Sequence, residues 1–128
     1  MSLAVPADLL DQAQQGEVDD QAFLDCVRSS LPYAWGVISA LITDLDAGGE
    51  QFADNQVPPP DEQSRGELLR LMASDAMRAA VERRYGVRLA FQNCHRAAAF
   101  RPEAAAALAE FTSARSQLLN QSPALRNC

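Results

Sequence analysis

Residues 86–100 read GVRLAFQNCHRAAAF, and this stretch decides whether the chain is all-helical or carries a sheet. Val87, Leu89 and Phe91 alternate with Arg88, Ala90 and Gln92, the period of a half-buried strand rather than of a helix. HRAAAF supplies an antiparallel return, with Gln92 to His95 as the turn and Asn93 as the residue best suited to a positive φ. A two-stranded hairpin is marginal alone, so it packs on helices or pairs with the edge of a second copy. The second arrangement makes a homodimer.

Outward from the hairpin the pattern turns helical. Asp61 is placed to cap a long helix running to about Arg84, with Leu69, Met72, Ala73, Ala76, Ala80 and Val81 on its core face and Gly86 as its stop. Ser64 and Glu67 have the spacing of a second capping box one turn later. Before this helix, EQFADNQVPPP has no periodicity and predicts a polar, proline-rich loop over about 47–60. Nearer the start, Pro6 and Gly16 bracket a short helix, and Asp19 or Asp20 caps a second that presents Val18, Ala22, Phe23, Cys26 and Val27. After Pro32, a third helix aligns Trp35, Ile38, Leu41, Ile42 and Leu45 before Gly48 and Gly49 end it. After the hairpin, Pro102 and Glu103 open a last helix whose apolar stripe is Ala107, Leu108, Phe111, Leu118 and Leu119. The expected fold is α+β and mostly helical: four to five helices with one antiparallel β-hairpin, a single domain over residues 1–128.

Composition narrows the chemistry. Hydrophobic residues make up 48% of the 128 and charged residues 22%, an ordinary globular balance that is enough for one core. The first residues, MSLAVPADLLDQ, lack the basic and continuously apolar regions of a signal peptide, and no window has 18 apolar residues, so the expected location is cytoplasmic with no membrane partner. Three cysteines at unrelated spacings read as free thiols. All eleven basic residues are arginine, which excludes Schiff-base lysines and the lysine of a phosphate-binding loop. Charge is polarised: residues 1–62 hold twelve acids against Arg28, and residues 63–128 hold five acids against ten arginines. The two halves either neutralise each other on packing or offer one charged face to a partner.

No motif carries a strong catalytic signal. Cys94 beside His95 offers a thiol and an imidazole, but neighbours in extended chain point to opposite faces, so a thiol-dependent enzyme using Cys94 stands only as a second alternative. Cys26, Cys94, His95 and Cys128 are a ligand set that zinc accepts, yet no closely spaced pair nucleates it, and neither metal nor cofactor is assigned. Asp44 with Asp46 or Asp54 offers a pair for two-carboxylate chemistry, and a solvated acidic face explains these residues equally well. Helices followed by a hairpin also match the order of a winged helix, with the 61–84 helix reading DNA and Arg88, Arg96 and Arg101 on the wing. A sequence pI near 4.6 opposes it. The favoured reading is a non-enzymatic protein- or ligand-binding or regulatory module of unspecified partner. Its binding candidates are Asp54, Asn55 and Gln56 in the loop and Asn93, Cys94, His95 and Arg96 at the hairpin tip, with Tyr33 and Trp35 between them and Trp35 itself assigned to the core.

At LPYAW, FADNQVPPPDEQSRGELLR, ASDA, GVRLAFQNCHR and SQLLNQSPALRNC the chain resembles a family of short, uncharacterised actinobacterial proteins, mainly from streptomycetes. The likeness covers nearly the whole length. It implies a setting and no activity, cofactor or partner, and it directs attention to the polar segments of the string, FADNQ and FQNCHR.

Overall fold

Seven helices and a three-stranded antiparallel sheet make up the computed structural model, which describes residues 3–93 and 95–121. The order is α1 (Ala7–Gln14), α2 (Asp20–Ser30), α3 (Pro32–Ala47), β1 (Phe52–Asp54), α4 (Glu62–Ala73), α5 (Asp75–Tyr85), β2 (Arg88–Gln92), β3 (Arg96–Phe100), α6 (Ala105–Phe111) and α7 (Ala114–Leu119). The chain is α+β and mostly helical, as expected, with more helices and one more strand than the sequence pattern predicts.

Most of the expected boundaries hold for the expected reason. Asp19 accepts a hydrogen bond from Ala22 N and starts α2, Pro32 is the first residue of α3, and Asp61 accepts from Ser64 N at 2.8 Å and starts α4. Gly86 ends α5 at φ 64°, where a side chain would be strained. Asn93 takes a positive φ of 57° in the hairpin turn.

Two expected helices are each broken in two. The helix over 61–84 stops at Ser74, whose hydroxyl accepts from Met77 N and caps α5. Of the predicted core face Met72, Ala80 and Val81 are buried, whereas Leu69, Ala73 and Ala76 are exposed and Leu68, Leu71 and Met77 are buried in their place. The last helix stops at Thr112 and restarts from Ser113, which accepts from Ser116 N. Leu118 and Leu119 consequently face solvent, 73% and 67% exposed, and leave the predicted stripe. A serine read as an ordinary helical residue is in both cases a cap.

The expected loop over 47–60 contains β1, which pairs with β3 in the register Phe52 with Phe100 and Asp54 with Ala98. The sheet order is β1-β3-β2, so the hairpin gains its third strand from within the chain. Both faces are covered. Leu89, Ala97 and Ala99 join the main core with α2 to α5, and Ala90, Ala98 and Phe100 form a second cluster with Phe111. The strand β2 is therefore not half-buried: Ala90 and Gln92, assigned to the solvent side, lie inside. β3 has four consecutive buried residues, three of them alanine, because helices press on it from both sides.

The charge halves meet across the fold. Asp20 of α2 receives two hydrogen bonds from Arg83 of α5, at 2.8 and 2.9 Å, and Asp54 pairs with Arg96 at 2.7 Å. Arg101 donates to the carbonyls of Leu45, Gly48 and Glu50, neutralising the C-terminal end of α3.

Candidate functional site

The two polar segments singled out in the sequence come together. β1 carries Asp54 to the edge strand of the sheet, and β3 runs antiparallel beside it so that Arg96 lies near Asp54. The Arg96 guanidinium bonds Asp54 Oδ2 through Nε at 2.7 Å and Gln92 Oε1 through Nη1 at 3.3 Å, and it sits 5.1 Å from the centroid of the Phe111 ring. Both partners of the ion pair are about five-sixths buried, with side chains 16% exposed. Asn55 extends the join: its N–H donates to Ala97 O at 2.8 Å, and its side-chain amide reaches Val57 O and His95 O. Gln56 is exposed and donates to Asp54 Oδ2.

The hairpin tip is bonded on its other side to α7. Asn93 donates to Asn120 O at 2.5 Å and accepts from the side chains of Gln117 and Gln121. Gln92, buried, donates to Phe111 O at 2.8 Å and to the Ser116 hydroxyl. His95 is buried and its Nδ1 lies 2.8 Å from Asn93 O, a contact within the turn itself. Cys94 and Cys128, on which the thiol and zinc readings rest, lie outside the described residues. Cys26 is buried and its thiol faces Ala4 O and the Ser30 hydroxyl. Among the described residues no three His, Cys, Asp or Glu side chains come together as a metal site.

What this cluster can do chemically follows from its satisfaction. Asp54, Asn55, Gln92, Asn93, His95 and Arg96 bond one another, the backbone or α7, and a fully paired network of this kind fixes structure. The surface that it supports is open. Beside it α3 presents Pro32, Tyr33, Gly36, Val37, Ala40 and Asp44, and these face Asp54, Asn55 and Val57 across a groove of about 450 Å³. Tyr33 is pushed above its ordinary pKa by burial first and by the Asp61 carboxylate second. Trp35, assigned to the core, packs partly buried against it on another flank of α3, where it meets Tyr85.

Sequence reading missed one residue that shapes this surface. Glu67, 2% exposed, accepts from Tyr33 N at 2.8 Å and from Ala34 N at 3.5 Å, so a side chain of α4 caps the first turn of α3. Ser64 does not begin the expected second box, because Asp61 already caps α4 and Ser64 lies within it, while the N-cap of α3 is Leu31, which has no capping side chain. A lone glutamate on an apolar helix face was the available signal. Gln117 and Ser116 were also missed, since their partners lie more than twenty residues away.

A small α+β protein with a sheet between helical layers and a groove beside an internally paired polar cluster is the class that fold and site define. The chain belongs to the family KH_NucS_shadow, described as NucS shadow ORF, whose model matches residues 1–128. No curated protein and no solved structure matches it.

Proposed function

We propose that the protein is a non-enzymatic binding module and that the groove between α3 and β1 takes a basic polypeptide segment. The observation that carries this reading is the groove itself: Gly36, Val37 and Ala40 line it and are small enough for close approach, and the exposed Asp44 lines it too, in the half of the chain that holds twelve acids. The paired cluster of Asp54, Asn55 and Arg96 serves it as a rigid wall. The family description names a reading frame by its relation to NucS and assigns no activity. Support for a chain maintained as a protein comes from agreement between levels: Asp19, Asp61, Ser74 and Ser113 each cap a helix, Glu67 caps α3 from a distance, and both sheet faces are covered.

The test is native mass spectrometry of the full chain purified from actinobacterial cytoplasm. A retained basic polypeptide, lost when Ala40→Glu crowds the groove, is the expected result. A retained nucleotide or metal ion with no polypeptide overturns the reading, and absence of the chain from cells that transcribe the frame overturns it as well.

Nucleic-acid binding is the second reading. It is favoured by the helix pair α4 and α5 joined at Ser74 and followed by the β2–β3 hairpin. Against it stands the net charge of −6. Of the arginines assigned to a wing, Arg96 and Arg101 are bonded inside the fold, and Arg88 lies 3.8 Å from Glu82. Binding to duplex DNA or single-stranded RNA that weakens steeply with salt would establish it in place of the first.

A further inference from the structure

A second cavity, on another flank of α3 from the groove, has a different chemistry. Among the described residues it is lined by Trp35, Ile38, Ser39, Ile42, Thr43, Asp46 and Tyr85 and encloses about 210 Å³. Trp35 and Tyr85 form adjoining walls, with ring centroids 6.3 Å apart and planes at 59°. Ile38 and Ile42 are buried and make the floor. Asp46 is exposed at the C-terminal end of α3 and has no hydrogen bond or ion pair among the described residues.

We infer that this pocket binds a methylated ammonium group. Two tilted aromatic faces attract a cation through their ring quadrupoles, and Asp46 adds a carboxylate at the rim. The pocket is smaller than the 300–1,000 Å³ or so typical of sites for drug-sized ligands, which suits a compact head group. The floor selects methylation. A primary ammonium brings three N–H donors and a guanidinium five; Ile38 and Ile42 offer them no acceptor, which leaves them only Asp46, Thr43 and a Ser39 hydroxyl that already donates to Trp35 O at 2.7 Å. A donor buried without a partner is costly, and a trimethylammonium group has none to bury. The Arg84 guanidinium also lies 5.1 Å from the Tyr85 centroid, held by a hydrogen bond to Gln21, and is not among the residues lining the pocket.

The same chemistry comes from two sources, a free small molecule such as choline or a trimethyllysine side chain on a protein. Trp35 is the chain's only tryptophan, so its emission reports the pocket alone. The full-length protein is titrated with choline, with the uncharged isostere 3,3-dimethyl-1-butanol, and with one lysine peptide in trimethylated and unmodified forms. Choline or the trimethylated peptide is expected to change Trp35 emission saturably, with the isostere and the unmodified peptide at least tenfold weaker. Tighter binding of choline identifies a free ligand, and tighter binding of the peptide identifies a protein tail. Asp46→Asn is expected to weaken binding about threefold to fivefold, with less effect at high salt. Tyr85→Leu removes the second aromatic wall and is expected to abolish the response, whereas Tyr85→Phe keeps the ring and the response. Equal binding of the isostere, loss in Tyr85→Phe equal to that in Tyr85→Leu while both remain folded, or no emission change with either cation overturns the inference. None of these results depends on whether the groove holds a polypeptide.

Discussion

The two faces of the sheet are held by different forces. Beneath it, Leu24, Val27, Leu31, Ile38, Leu68, Leu71 and Val81 form a core of aliphatic side chains that are almost completely buried. Above it, the buried cluster is only Ala90, Ala98, Phe100 and Phe111, with Phe52 stacked on Phe100 at 5.1 Å and Phe111 edge-on at 5.5 Å. Helices as short as α6 and α7 have little apolar area to anchor them, and the polar contacts of Gln92, Asn93 and Arg96 supply the remainder. The residues that attract attention in the sequence as a site are, in the fold, the fastening of its upper layer.

This contrast is broken most directly in the lower core. Leu68→Ala leaves a cavity among side chains with no room to relax, and a loss of about 3–5 kcal/mol is expected in chemical denaturation, with both layers unfolding together. Glu67→Ala is expected to cost about 2–3 kcal/mol, because the amides of Tyr33 and Ala34 are left without their acceptor; Glu67→Gln keeps an oxygen in place and should recover part of it. The upper layer should respond differently. Gln92→Ala is expected to cost about 1–2 kcal/mol and to raise hydrogen exchange in α6 and α7 while the amides of α3 stay protected. Equal deprotection of both layers would show that they unfold as one unit and erase the distinction.

Smaller effects sharpen the picture at its edges. Ser74→Ala removes the cap that separates α4 from α5, and a loss of about 1 kcal/mol is expected by thermal denaturation. Asp20 tests the contact between the charge halves. The Arg83 guanidinium, by hydrogen bonding to it, holds the Asp20 carboxyl below the usual carboxylate range. A carboxylate depressed in the folded state stabilises fully above its unfolded value, and that contribution disappears as pH falls through the folded one. Asp20→Asn should therefore lower stability near neutral pH slightly, since the pair is exposed, and flatten the acid limb of the stability profile below about pH 4 by the same small amount.

Much of the lower layer was legible because its signals are local. Pro6, Asp19, Pro32, Asp61 and Gly86 mark where helices begin or end through side-chain and φ preferences that need no distant partner, and Asn93 announced its turn in the same way. The breaks at Ser74 and Ser113 were not legible, because a serine within a helical period is a cap only if the chain changes direction there. β1 was hidden for a related reason. Three residues cannot show a period, and their strand character comes from pairing with β3 more than forty residues on.

The candidate site divides along the same line. Sequence pattern brought out FADNQ and FQNCHR as polar segments, and the fold places them side by side, but only the tertiary structure shows that Asp54 and Arg96 face each other and that Asn93 is bonded to α7. The composition alone determined that no lysine chemistry is available and that the two halves carry opposite charge. The sequence thus determined the helical punctuation, the hairpin and the charge. The tertiary structure decided the phase of each helix, the third strand, the second covered face and the partners of every buried polar group, because those depend on contacts between residues far apart in the chain that no local preference encodes.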